Sequence, residues 1–312
     1  MNKPMRKRVA VMDLGTNTFH LLIVEGLSND LKELRHDHVA VKLGEGGINK
    51  GLIQPAAFER GLQTMKSFQQ YIEYYGVKEV KAIATSAMRS AANGKDFIDQ
   101  VKAETGIRIE TINGDSEASY IFYGVKASDV LSEATSLILD IGGGSIEFII
   151  ANNKQIFWKQ SFEIGAARLM DKFHQIDPIP ADSITEIHQY IDSILPDFYM
   201  VAGRYNIENL IGSSGAFETF AELSERTKGN EFDLKKFKSY QFDTADLINL
   251  TDNLIHSSHQ QRLNNPSIIP VRVDMIVVAS IVTRYLMQKL NINKVCMSAY
   301  SLKEGVLAEM MS

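Results

Sequence analysis

The chain has 312 residues, 45% hydrophobic and 23% charged, enough for two cores of ordinary domain size. Its 33 Lys and Arg against 38 Asp and Glu leave a net charge of −5, which excludes a basic coat for nucleic acid but not a local basic pocket for an anion. The single cysteine, Cys296, excludes a disulfide framework and a cysteine-cluster metal site, and it suits a reducing cytoplasm.

In chain order, a basic stretch that includes Lys3, Arg6, Lys7 and Arg8 is followed by only four apolar residues before Asp13, too few for a signal sequence. Residues 9–12 and 19–24 read as strands around a Gly15-Thr16-Asn17 turn, and 31–43 as a third strand. His36 and His38 would share one face of that strand, and a solvated face explains them better than a metal. A helical pattern runs from Pro55 to Tyr75, followed by a strand over 77–84, a helix over 97–104, a strand over 107–112 and a helix over 117–125. The pattern then restarts. Strands are expected at 136–139, 148–151 and 155–162, helices at 166–174 and 184–201, and a short strand at 210–211. Amphipathic stretches at 245–263 and 274–290 precede a last strand and helix. No window approaches the roughly 18 apolar residues of a membrane span. His256 and His259 share a helical face without a third ligand, and Trp158, Tyr71, Tyr74 and Tyr75 read as packing residues.

The two halves share a signal. Asp13-Leu14-Gly15-Thr16-Asn17-Thr18 and Asp140-Ile141-Gly142-Gly143-Gly144-Ser145 both follow an apolar strand and lead into another, 127 residues apart. That period indicates two related domains rather than a solenoid. Small residues at such turns let backbone N–H groups approach an anion, and Thr and Ser add hydroxyl donors. Gly143 and Gly144 are expected to refuse β-branched side chains through bulk and through positive φ. An aspartate beside a phosphate makes sense if it holds Mg²⁺ or orients a water. Two such turns imply an anion clamped in a cleft between domains.

This arrangement resembles the actin-like ATPase superfamily, whose members add a third glycine-containing turn. Gly212-Ser213-Ser214-Gly215 falls where that turn would lie. The resemblance implies an α/β fold of two related actin-like (ribonuclease H-like) domains, each a mixed sheet flanked by helices. The first would span 1–125 plus a C-terminal helix at about 301–312, and the second 126–300. The hinge is expected near 123–127 and 297–302, and the empty cleft is expected to open because its carboxylates repel.

Further motifs narrow the resemblance to the exopolyphosphatase/guanosine pentaphosphate phosphatase family. They are residues 13–21, Val41-Lys42-Leu43-Gly44-Glu45-Gly46, Ala84-Thr85-Ser86-Ala87-Met88-Arg89, Asn113-Gly114-Asp115-Ser116-Glu117-Ala118, residues 140–147, Gly165-Ala166-Ala167-Arg168-Leu169 and Leu302-Lys303-Glu304-Gly305. They cover nearly the whole chain in the family's order, and the chain resembles the family's short, two-domain form. Five positions depart from the pattern: Ser116 where a Glu is usual, Ser119 where an Arg is usual, Ile146 where a Thr is usual, and Ser301 and Lys303 in the last block, where Ser301-Leu302-Lys303-Glu304-Gly305 stands for a usual Gly-Leu-Arg-Glu-Gly.

The resemblance implies Mg²⁺- or Mn²⁺-dependent hydrolysis of the terminal phosphate of polyphosphate, with guanosine pentaphosphate as a second candidate substrate. Glu117 would orient and deprotonate the attacking water. Thr16, Asn17, Thr18, Arg89, Gly142, Gly143, Gly144, Ser145, Ser213 and Ser214 would bind phosphate. Asp140, Glu147 and Asp13 would serve the metal, with Glu147 alternatively orienting the water. Lys42, Arg168, Arg272 and Lys303 are candidates for lining the path of a polyanion. Neither a nucleic acid nor a membrane is expected as partner, and a homodimer is compatible. A kinase of the same superfamily and a non-enzymatic polyphosphate or alarmone sensor stand as alternatives.

Overall fold

The computed structural model describes residues 7–27 and 30–312, so Lys3 and Arg6 of the basic N-terminal stretch lie outside the described residues. Its first sheet contains β1 (Lys7–Leu14), β2 (Phe19–Leu27), β3 (Asp30–Val39), β4 (Glu79–Ala84) and β5 (Ile109–Thr111), in the order β3-β2-β1-β4-β5. The second contains β6 (Ser136–Ile141), β7 (Ile146–Ala151), β8 (Ile156–Phe162), β9 (Asn209–Ser213), β10 (Ser239–Gln241) and β11 (Val295–Ser298), in the order β10-β11-β9-β6-β7-β8. In each sheet a three-stranded antiparallel meander continues into parallel strands, β4 and β5 in one, β9 and β11 in the other. The repeated motif in the sequence is thus a repeated topology. β10 is an addition, antiparallel at the second sheet's edge.

The strands that carry the repeat are buried on both faces, which explains their unbroken apolar runs. Along β1 the period of two sends Ala10, Met12 and Leu14 into one core and Val9 and Val11 into another. In β7, Phe148 and Ile150 enter the core of the second half while Ile149 and Ala151 face the other way. The core that both sheets share is filled by α4 (Gly114–Ala127), through Ala118, Ile121, Phe122 and Val125, and by α12 (Leu302–Met311), through Leu302, Val306 and Leu307. The outer faces are covered by α1 (Pro55–Tyr74), α2 (Ser86–Ser90) and α3 (Gly94–Thr105) in the first half. In the second half they are covered by α5 (Ala166–Phe173), α6 (Ala181–Ile194), α7 (Pro196–Ala202), α8 (Gly215–Thr227), α9 (Thr244–His256) and α11 (Met275–Lys289), and the short α10 (His259–Leu263) connects α9 to α11.

Several elements differ from the sequence reading, each for a local reason. β3 ends at Val39 rather than 43, because the next residues cross over the first glycine turn. There Lys42 N donates to Asn17 O at 2.8 Å and Gly44 N to Thr16 O at 3.0 Å. The helix expected over 184–201 breaks at Pro196, which lacks the N–H to continue α6. The 245–263 stretch divides at Ser258, whose side chain and Gln261 form a reciprocal capping box that starts α10. The Thr-Ser turn ahead of Arg89 is a short helix, α2, and α8 and β10 were not anticipated.

The crossing of α4 and α12 depends on two glycines. A Cβ on Gly124 would overlap the Ser301 carbonyl, and one on Gly305 the Tyr120 carbonyl, so each helix uses a glycine where the other's backbone presses in. Nearby, Ser298 Oγ donates to the buried Ser128 Oγ at 3.0 Å, joining the two chain segments that run between the halves. Gly305→Ala is expected to lower unfolding stability by about 1–3 kcal/mol, the usual range for overpacking, measured as a shift of the denaturant midpoint. An unchanged midpoint would contradict the close crossing.

Candidate active site

The cleft forms where the strand ends of the two sheets face each other. It is an open cavity of about 200 Å³. Asp13 stands at the end of β1 and Thr16, Asn17 and Thr18 in the turn to β2; Asp140 stands at the end of β6, with Gly142, Gly143, Gly144 and Ser145 in the turn to β7. All of these line the cleft, together with Glu117 on α4, Glu147 on β7 and Ser214 before α8. Ser214 takes a left-handed φ of 73°, a strained conformation for a residue with a side chain.

The two turns touch. A Cβ on Gly144 would fall 2.5 Å from Ser86 Oγ and 2.6 Å from Thr16 Oγ1, and one on Gly143 would collide with the Asn17 side chain. None of Gly142, Gly143 and Gly144 is among the positive-φ residues, so space rather than backbone handedness demands glycine here. Asn17 Nδ2 also reaches Met275 Sδ on α11 at 2.8 Å, which ties the first turn to the second half.

Glu117 is placed by the start of α4. Asn113 caps the helix by accepting from Ser116 N at 2.8 Å. Gly114 lies against the Ser161 side chain, where a Cβ would collide, so β8 can approach the helix end. Arg89 Nη1 donates to Glu117 Oε2 at 2.9 Å and to the Ile112 carbonyl at 3.2 Å. Burial drives the Glu117 carboxyl up to about 7 even though the Arg89 bond opposes the shift, with Asp13 and Asp140 adding repulsion. Burial also lifts Asp13 to about 7, against the pull of Lys303. Glu147 is raised well above the carboxylate range by burial, then by Glu117 and Asp140, although Ser161 Oγ donates to it at 2.6 Å. Asp140 is raised by burial and eased by hydroxyl donors, Ser301 Oγ at 2.7 Å and Ser213 Oγ at 2.8 Å. Lys303 is almost fully buried, and Glu304 and Glu218 hold its charge against desolvation.

Two of the expected phosphate ligands lie outside the cavity lining. Ser213 is fully buried behind Asp140 and acts on that carboxylate. Arg89 stands behind Glu117, with its second amino group on Glu163 Oε1 at 2.8 Å. Of the four cations considered for a polyanion path, Arg272 and Lys303 line the cleft, and Lys42 and Arg168 do not. Ser86, Ser301, His20 and Glu218 line it without having been singled out. Ser301 opens the last motif, and its capping box with Glu304 was readable from the sequence as Ser-x-x-Glu.

Of the departures from the family pattern, Ser301 and Lys303 line the cleft, and Ser116, Ser119 and Ile146 do not. Ile146 is fully buried in the core of the second half. Ser116 serves the helix start through its backbone N–H. At Ser119 a cation arrives from another element: Lys159 on β8 bonds Ser119 Oγ and sits 2.9 Å from Asp115 Oδ2. His20 lies beside His36 and His38, with ring centroids 6.3 and 6.2 Å away. Among the described residues, no three His, Cys, Asp or Glu side chains close on a common point as a metal cage, and no helix is long and apolar enough to cross a membrane.

The carboxylate pKa values set a pH dependence. Asp13 and Glu117 rise from 3.8 and 4.5 in the unfolded chain to about 7 in the folded one. The folded state binds their protons more tightly, so their stabilising contribution is complete below about pH 4 and is lost as pH rises through 7. In chelator-containing buffer the melting temperature is expected to fall between about pH 5 and pH 8, with a shallower fall in Glu117→Gln. Identical profiles for the two proteins would contradict the assignment.

Comparison with known proteins agrees with this geometry. The chain superposes on an exopolyphosphatase from Cytophaga hutchinsonii with a TM-score of 0.95 at 40% identity, over 98% of each chain. It is 24% identical over 302 residues to a putative exopolyphosphatase of Haemophilus influenzae, covering 96% of this chain and 90% of that one. It is 30% identical over 286 residues to a bifunctional 3-dehydroquinate synthase/phosphatase of Fusobacterium nucleatum, covering 88% of this chain but 42% of that longer protein. Residues 22–312 match the model of the Ppx/GppA phosphatase family, and the chain belongs to that family.

Proposed function

We propose that the protein is an exopolyphosphatase that removes the terminal phosphate of inorganic polyphosphate with Mg²⁺ or Mn²⁺, and that guanosine pentaphosphate, which ends in the same anhydride, is a second substrate. The observation that carries this reading is Glu117: a buried carboxylate raised to about 7, held by Arg89 and facing two glycine turns at one cleft. A base with a pKa near the working pH suits proton removal from an attacking water. Thr16, Thr18, Ser145 and the backbone N–H groups of both turns supply donors for the terminal phosphate, and Lys303 and Arg272 offset the charge of the chain behind it.

The donor set fits a divalent cation. Mg²⁺ keeps several waters and needs one or two carboxylates plus phosphate oxygens rather than a protein cage. Asp140 and Glu147 are buried carboxylates and Asp13 a half-buried one, all with raised pKa values, which is the electrostatic condition a cation relieves. When bound there, the cation would neutralise phosphate charge. The protein's own task is to orient the water on Glu117, accept its proton at that carboxylate, and exclude bulk solvent by bringing the turns together. Cys296, a half-buried free thiol, suits a cytoplasmic setting.

The test is phosphate release from tripolyphosphate, long-chain polyphosphate, guanosine pentaphosphate and ATP. Hydrolysis of polyphosphate is expected, and Glu117→Gln is expected to lower it about 10²–10⁴-fold while leaving polyanion binding in place. A wild-type protein that binds polyphosphate without releasing phosphate would make it a sensor, and a fully active Glu117→Gln would move the base to another carboxylate.

A further inference from the structure

Two turns on separate sheets grip one anion only while the halves stay together, and one carboxylate outside the cleft connects them. Glu163 follows β8 and lies two residues before Gly165, where a Cβ would overlap the Gly143 and Gly144 backbone. The position of Glu163 is therefore set by the second glycine turn. Two of its three partners belong to the first half. Ser86 Oγ donates to Glu163 Oε2 at 2.7 Å, and Arg89 Nη2 to Oε1 at 2.8 Å, both from α2. Arg168 Nη2 completes the carboxylate at 2.6 Å.

Arg168 itself spans the divide. Its Nε donates to the Gly144 carbonyl at 2.8 Å, its Nη1 to the Ile48 carbonyl at 2.8 Å, and its Nη2 also to Ser90 Oγ at 3.1 Å. Without Glu163, the guanidinium groups of Arg89 and Arg168 would converge with no charge between them. Lone exposed ion pairs contribute little. Here a single carboxylate takes three donors, two of them from largely buried arginines whose planar guanidinium groups are fixed by further carbonyls.

We propose that Glu163 is a positioning residue that latches the two halves in the closed arrangement, and so sets how much substrate binding energy is spent on closure. Glu163 is absent from the cavity lining, so it acts through the halves it joins and not on the phosphate. This inference rests on the proposed function only in using polyphosphate as the ligand.

The experiment compares wild type with Glu163→Gln and Glu163→Asp, by steady-state kinetics on polyphosphate and by solution scattering with and without tripolyphosphate and Mg²⁺. For Glu163→Gln, KM is expected to rise about 3- to 20-fold, the range for losing charge-assisted hydrogen bonds at a half-exposed site, while kcat stays within about twofold because saturating ligand closes the cleft. Its ligand-free radius of gyration is expected to exceed that of wild type, and the two should coincide when ligand saturates. Glu163→Asp, which keeps the charge on a shorter arm, should fall between them. Wild-type KM and radius in a folded Glu163→Gln protein would overturn the latch, and so would a fall in kcat with KM unchanged. A wild-type protein that binds tripolyphosphate without hydrolysing it would remove the proposed function, yet the scattering comparison would still decide the latch.

Discussion

Glu117, Asp140 and Glu147 are buried around a single cleft with Asp13 half-buried beside them, and four carboxylates so placed cannot all ionise without a compensating cation. Most features of the site address this constraint. Ser213 and Ser301 donate to Asp140, Ser161 to Glu147, Arg89 to Glu117, and Lys303 faces Asp13 from within the protein. These groups come from both sheets and from both helices of the shared core. The electrostatic balance of the cleft is therefore also a bond between the halves. On the proposed function, an anion carrying its own cation would complete this balance, whereas a neutral ligand would leave it open.

The fold puts the carboxylates there because it repeats. Each meander carries an aspartate one residue before the end of its first strand, Asp13 or Asp140, at the carboxyl edge of a sheet, where open α/β sheets leave their crevice. Burial on both faces keeps the two strands rigid, and the glycines of the following turns let the two edges meet. The α4–α12 pair then sets the distance between the edges through Gly124 and Gly305. These few glycines mark the places where one backbone presses on another, and a side chain at any of them would have to displace its neighbour.

What the sequence revealed was local. The two hairpins, Glu117 at a helix start and the order of strands could be read from short runs, because turn chemistry and apolar periodicity are properties of neighbours in the chain. Partnerships across the molecule were not readable. Nothing in Ser-Phe-Glu-Ile-Gly shows that Glu163 meets Ser86 and Arg89 some 74–77 residues away. Arg89 was expected to grip phosphate because it follows a strand and a Thr-Ser turn, and its bonds to Glu117, Glu163 and the Ile112 carbonyl could not be read from that local pattern. His20, which β2 pairs with His38, lies beside His36 and His38 and was not visible from their spacing, but the three rings do not close on a common point. Helix α8 was hidden because Gly212 and Gly215 suggested only a turn, while Phe217 and Phe220 bury the face that makes it a helix.

The central claim is that one cleft accepts a polyphosphate anion and a divalent cation as a unit. Calorimetric titration of Glu117→Gln protein with tripolyphosphate, with and without Mg²⁺, measures this without interference from turnover. The account predicts that Mg²⁺ tightens tripolyphosphate binding at least about tenfold and, by thermodynamic reciprocity, that tripolyphosphate tightens Mg²⁺ binding by the same factor. Equal tripolyphosphate affinity in Mg²⁺ and in chelator would contradict it.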